Sequence, residues 1–150
     1  PGIGNALVAY LVGSTFLFGA AAVGQLIGAV VILFLLSALS TGAREIIKDV
    51  EDIRGDRQEG LNTLPIAIGE RRALFIAATL LVVVVLTSPV PYLLGTFGII
   101  YLVLVAPAVT LMLYAGYQSF SDPTTGQSIL KYGTFVAAAA FIGGRLTLVV

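Results

Sequence analysis

The chain has 150 residues, of which 58% are hydrophobic and 11% charged, and its mean hydropathy is +1.03. A soluble domain carries about 25% charged residues, so a chain this poor in charge cannot cover a water-facing surface and reads as a membrane protein. A net charge of zero argues against nucleic acid as a partner; without Cys or His there is no disulfide, thiol nucleophile, Ser-His pair or imidazole metal ligand.

Positions 1–5 show neither a basic leader nor a cleavage site, and read as the interior of a longer chain. Positions 1–43 hold no charge. One membrane span takes about 20 apolar residues, so this stretch must be divided. Gly24-Gln25 divides it into spans near 4–22 and 25–43, the second continuing as helix to about 53. Positions 44–72 hold 13 of the 16 charges and place a polar loop at 54–70. Positions 73–121 are again uncharged, and Ser88-Pro89-Val90-Pro91 cuts them into spans near 71–87 and 96–117. Pro107 is expected to kink the later one. A loop at 119–125 containing Asp122-Pro123 leads to a last span near 129–149.

The fold class is therefore an all-α membrane protein with five transmembrane helices. Its apolar runs are continuous, which argues against an alternating β-barrel. Six of the eight Lys and Arg residues lie at 44–72, which puts that loop in the cytoplasm, the N-terminal end of the chain inside and the C-terminal end outside. Lys131 agrees with this orientation and Arg145 is the exception. The run Gly24-Gln-Leu-Ile-Gly28, extended by Ala20, with Gly13 and Gly19 nearby, offers small surfaces for close helix contact.

The chemistry lies in the run Arg44-Glu-Ile-Ile-Lys48-Asp49-Val-Glu51-Asp52-Ile-Arg54-Gly55-Asp56. On a continuing helix, Asp49, Asp52 and Asp56 share one face, within about 60° of one another. Lys48 flanks that face. Gly55 is expected to loosen the helix just before Asp56, while Ile46, Ile47, Val50 and Ile53 point elsewhere. Three carboxylates repel one another more strongly at a membrane boundary than in open water. A divalent cation would compensate them, and Mg2+ favours a few carboxylates combined with waters and phosphate oxygens. The face thus reads as half of a site for a Mg-diphosphate, with Lys48 and Arg44 as phosphate contacts. The plain alternative is a solvated charged loop of the kind that commonly joins membrane helices. Tyr10, near the inner end of the first span, either faces a cavity or anchors at the interface. Tyr92, Tyr101, Tyr114 and Tyr117 read as interfacial or core residues.

At these residues the chain resembles the UbiA-type intramembrane prenyltransferases. Arg44-Glu-Ile-Ile-Lys48-Asp49-x-x-Asp52-x-x-Gly55-Asp56 looks like the second aspartate-rich motif of that family. Thr63-Leu64-Pro65 and Gly69 resemble the segment after it, and Gly4-Asn5 resembles the start of the fifth helix. The likeness covers the whole chain, as helices five to nine of a nine-helix bundle. It is greatest to the archaeal branch that builds ether lipids from geranylgeranylglyceryl phosphate.

The resemblance implies transfer of a prenyl group, geranylgeranyl in that branch, from an allylic diphosphate to a lipid-phosphate or aromatic acceptor, with Mg2+. It implies that Asp49, Asp52 and Asp56 hold the metal and that Lys48 acts beside them. Arg44, Asn5 and Tyr10 are the candidate substrate contacts. The family's first aspartate motif is absent, so the missing N-terminal half of the same protein is an expected partner and the segment alone is expected to be inactive. Membrane lipid is the other expected partner. A segment of a membrane transporter is the main competing reading, since 55–60 faintly resembles a short transporter loop. An aspartyl protease, a lipid-alcohol phosphotransferase and a structural membrane subunit fit the residues less well.

Overall fold

The computed structural model describes residues 2–24 and 28–146, all helix or short connection, with no strand among them. The helices run in the order α1 (Ile3–Ala22), α2 (Gly28–Glu51), α3 (Ile53–Gln58), α4 (Leu64–Ile68), α5 (Glu70–Thr87), α6 (Val90–Leu93), α7 (Ile99–Gln118) and α8 (Pro123–Leu146). Among the described residues, four stretches are long and apolar enough to cross a membrane: Ile3–Ala22, Gly28–Glu51, Glu70–Leu93 and Ile99–Gln118. Helix α8 has the length, but Thr124, Thr125, Gln127 and Ser128 make its first turns polar. Length and apolarity together therefore mark four spans, where five were expected.

Helix α2 is central. It packs against α1, α5 and α8, and α7 closes a four-helix ring by packing on α5 and α8. The sequence periodicity explains the ring. Leu36, Ser40, Ala43, Ile47 and Val50 on α2 recur at alternating four- and three-residue steps, and all are buried. So do Leu74, Ala77, Leu81 and Val84 on α5, and Tyr101, Val105, Ala108, Met112 and Ala115 on α7. Each series forms a single stripe along its helix, and the stripes interdigitate. Ile46 and Ile53 are buried as well, so the apolar residues of the charged run serve the core.

Small residues set how closely the helices approach. A Cβ added at Gly144 of α8 would lie 2.7 Å from Tyr101 Cβ on α7, and one at Gly133 would lie 3.3 Å from Met112. Helix α1 buries only Ala9 and Gly13. A Cβ at Gly13 would lie 2.8 Å from the Phe34 carbonyl oxygen and 3.0 Å from Ala38 Cβ, while Gly42 sits against Ala9. The α1–α2 contact is thus a pair of small-xxx-small faces. It does not use the Gly24–Gly28 spacing. Gly24 ends α1 in a left-handed turn (φ 66°), Gly28 opens α2, and an added Cβ at either position, or at Gly19, meets nothing within 4 Å. That motif straddles a turn, and its middle residues lie outside the described ones. Elsewhere α1 presents large apolar side chains outward, among them Ile3, Leu7, Leu11 and Phe18.

Helix boundaries shift from the expected ones for local reasons. The expected loop at 54–70 contains two short helices, α3 and α4, and the Pro89–Pro91 connection contains α6. Helix α7 runs uninterrupted through Pro107. The expected start of the second span at 25 and the expected end of the last at 149 lie outside the described residues. Helix α8 begins at Pro123, well before the expected 129, because Asp122 caps it. The Asp122 carboxylate accepts hydrogen bonds from the Thr125 backbone N–H (3.1 Å) and from the Thr125 hydroxyl, and Pro123 occupies the first helical position.

The Thr125 hydroxyl, and after it the Thr125 N–H, hold the Asp122 carboxyl below its ordinary value of 3.8. The ionised cap is therefore fully stabilising above that value and is lost as pH falls below it. In micellar thermal unfolding, Asp122→Ala is expected to melt below the wild type at neutral pH, and the gap is expected to narrow below pH 3.8. Gly13→Val is expected to destabilise by about 1–3 kcal/mol through overpacking against Phe34 and Ala38, read by the same unfolding experiment.

Candidate active site

The polar residues gather at one end of the bundle, where α1 begins, α2 ends, α3 and α4 follow, and α8 begins. Helix α2 stops at Glu51 and α3 starts at Ile53, so the break falls at Asp52 and not at Gly55. Asp52 takes φ −87° and ψ 0°, a bridge conformation that a helix-flanking Asp adopts readily. The hydrogen-bond ladder holds on both sides of it. Asp52 N–H donates to the Lys48 carbonyl (2.9 Å), and the Asp52 carbonyl accepts from Asp56 N–H (3.1 Å). Gly55 lies inside α3. That helix ends at Gln58 and is closed by Gly60, whose φ of 72° lets Leu61 N–H reach the Asp56 carbonyl (2.9 Å) and Gly60 N–H the Arg57 carbonyl (3.3 Å). This glycine cap holds the backbone of Asp56 in place.

The single helix expected through Asp49, Asp52 and Asp56 is thus divided at Asp52. Asp49 is half-buried, and its Oδ2 accepts a 2.8 Å hydrogen bond from Asn5 Nδ2 across the α1–α2 junction. The like charges of Asp56 and Glu45 act on it, opposed by Lys48. Asp56 is also half-buried. Asp52 makes a 3.7 Å ion pair with Lys48, both side chains being half-exposed. Such an exposed i,i+4 pair contributes only about 0.3–0.5 kcal/mol, so Lys48 is easily drawn to another anion.

Arg44 donates through Nη1 to Glu45 (3.2 Å) and through Nη2 to Gln127 Oε1 on α8 (3.5 Å), while its Nε is buried without a hydrogen-bond partner. The Thr63 hydroxyl, just before α4, is likewise buried and unpaired. Both orphaned groups belong to the polar end, and burying an unpaired polar group costs about 1–3 kcal/mol. Gln127 was not legible as a site residue. Its only signal is the polar run that opens α8. Tyr10 lies on a cleft of about 390 Å³ between α1 and α2, whose wall Asn5 and Leu64 also form, and its ring meets Phe34 edge-on at 6.0 Å.

Among the described residues, no three acidic side chains stand close enough to enclose an ion by themselves. The donor chemistry nonetheless fits Mg2+. Asp49 and Asp56 are hard anionic oxygens near one another, Asp49 has one oxygen committed to Asn5, and Mg2+ takes one or two carboxylates and completes its shell with water and phosphate. Beyond the polar end the interior is apolar. A cavity of about 240 Å³ lies among α1, α2, α5, α7 and α8, and a second of about 530 Å³ lies at the far end.

Residues 1–142 of this all-helical bundle match the UbiA prenyltransferase family, and the chain belongs to it. The digeranylgeranylglyceryl phosphate synthase of Natronomonas pharaonis is 64% identical over 149 residues, covering 99% of this chain and 54% of that protein. The synthase of the same name from Haloquadratum walsbyi is 58% identical, covering 99% and 52%. A solved structure from work on digeranylgeranylglyceryl phosphate synthase in membranes superposes with a TM-score of 0.90 at 42% identity, covering 97% of this chain and 53% of that one. The chain thus spans about half the length of the curated relatives it matches. These matches do not favour the transporter reading.

Asn5 is the neutral partner of a half-buried carboxylate. Asn5→Ala is expected to lower the unfolding free energy by about 1.5–3 kcal/mol, and Asn5→Asp, which adds a like charge, by more, both read by denaturant unfolding in micelles.

Proposed function

We propose that this chain is the diphosphate-holding portion of an enzyme that transfers a prenyl group, geranylgeranyl in the first instance, from an allylic diphosphate to a lipid-phosphate acceptor within the membrane. The observation that carries this reading is Asp49, a half-buried carboxylate that accepts a hydrogen bond from Asn5 and feels the like charges of Asp56 and Glu45, with Lys48 as the opposing charge. Family membership and the names of the relatives support the reaction class.

In this reading Asp49 and Asp56, with Asp52 at the rim, hold Mg2+ against the diphosphate. When bound, Mg2+ supplies positive charge against the charge that develops on the leaving group. Lys48 leaves its weak pair with Asp52 and donates to the diphosphate, and Arg44, fixed by Glu45 and Gln127, presents its free Nε–H to an anion. The apolar interior receives the prenyl chain and excludes water, which would capture an allylic cation. Helix α8 acts as a fifth span, with the polar end on the cytoplasmic side. A second acidic cluster, from residues outside this chain, completes the metal site, as the nine-helix resemblance implies. The chain alone is then expected to bind without turnover.

The test is binding of geranylgeranyl diphosphate to the micellar protein, with Mg2+ and with chelator. Asp49→Ala and Asp56→Ala are each expected to weaken Mg-dependent binding by about tenfold or more, near 1.4 kcal/mol, and Asp52→Ala by less. Binding that survives chelation or either substitution would overturn the proposal.

A further inference from the structure

One cation at the polar end is seated on an aromatic ring and not beside a carboxylate. The ion pairs among the described residues are Arg44–Glu45 and Lys48–Asp52, which leaves Arg54 and Arg57 on α3 and Arg71 and Arg72 on α5 without one, all four exposed. Arg71 differs from the other three. Its guanidinium lies over the Phe75 ring, with Cζ 5.9 Å from the centroid. Phe75 is braced in turn from the end of α7, where its ring meets that of Phe120 at 5.1 Å and 64°. The helices that carry the two rings approach closely, since a Cβ added at Gly116 of α7 would lie 3.1 Å from Leu81 Cδ1 on α5.

The seat lies at a bilayer boundary. The apolar stretch Glu70–Leu93 begins just before Arg71, and Ile99–Gln118 ends just before Phe120. Along α5, Arg71, Phe75, Val82 and Leu86 recur at helical spacing on one stripe. The three apolar members of that stripe are exposed, as are Leu113 and Tyr117 on α7. A lipid standing on this face would set its chains against Val82 and Leu86 and its headgroup against Arg71.

An aromatic ring takes the flat face of a guanidinium and leaves the N–H edge untouched. Arg71 makes no side-chain hydrogen bond or ion pair among the described residues, so that edge is open to the bidentate pairing with phosphate oxygens that Arg favours. Arg72 adds a second positive charge and Glu70 a negative one, which leaves the start of α5 net positive. A single exposed arginine holds a free anion weakly; the rings and the apolar stripe add contact only for a ligand that also carries hydrocarbon.

We propose that Arg71, Phe75 and Phe120 form a site for the phosphate headgroup of an anionic membrane lipid, on the outer face between α5 and α7. The site shares no residue with the acidic end of α2 and stands independently of the prenyl-diphosphate reading.

The test is native mass spectrometry of the micellar chain with phosphatidylglycerol and phosphatidylcholine in competition. The wild type is expected to retain phosphatidylglycerol over phosphatidylcholine by about tenfold. Arg71→Gln is expected to lower that preference by about fivefold, the effect of one cation near a bilayer surface. Phe75→Leu keeps every charge but removes the ring under the guanidinium, and is expected to lower it by about threefold. Arg54→Gln removes an equal charge that has no ring beneath it, and is expected to change the preference by less than about twofold. Inorganic phosphate in large excess is expected to displace none of the lipid. The substituted side chains are exposed, and retention of phosphatidylcholine at the wild-type level checks that each variant is folded. The site is overturned by a wild type without preference, by a preference that Arg71→Gln or Phe75→Leu leaves unchanged, by an equal loss in Arg54→Gln, or by displacement with inorganic phosphate.

Discussion

The hydrogen bond from Asn5 to Asp49 is the constraint on which the polar end is built. A carboxylate at the end of an apolar helix cannot remain unpartnered in a low-dielectric setting without a cost of several kcal/mol. Its nearest donor here is an amide, not a cation. An amide satisfies a lone pair but leaves the charge in place, and Asp56 and Glu45 add to it. The outcome is a concentration of negative charge that is ordered yet not neutralised, the electrostatic condition for recruiting a cation. The same bond ties the start of α1 to the end of α2.

The packing shows how so apolar a chain is held together where hydrocarbon solvent gives no hydrophobic drive for helix association. Contact at α1–α2 and at α7–α8 relies on glycine and alanine, which let backbones approach until van der Waals attraction suffices. The ring of α2, α5, α7 and α8 is buried on regular stripes. Helix α1 is attached on one narrow side, and its other faces display large apolar residues suited to lipid or to further helices.

Helix positions were legible because lipid solvation demands long apolar runs and because charge, Pro and Gly punctuate them. The errors came where a local pattern had two physical solutions. Gly24 and Gly28 satisfy a helix-contact spacing, yet Gly24 is used for a left-handed turn, which only its missing Cβ permits without strain. Gly55 is a plausible helix breaker, yet the break falls at Asp52, whose side chain goes to Lys48 while its backbone bridges two helices. Helix α8 starts earlier than its apolar run suggests, because the Asp122–Pro123 cap begins it among polar residues. Gln127 has no sequence signal that separates it from neighbouring polar residues, because its importance lies in reaching Arg44 from another helix.

By itself the sequence determined that the chain is a helical membrane protein and where its charges concentrate. These follow from composition, period and short-range spacing, which act along one helix. Which amide steadies Asp49, which arginine nitrogen is left buried and free, and which aromatic rings meet between α1 and α8 were decided only by tertiary structure. Each of those depends on residues far apart in the chain, brought together by how closely small side chains allow the helices to pack.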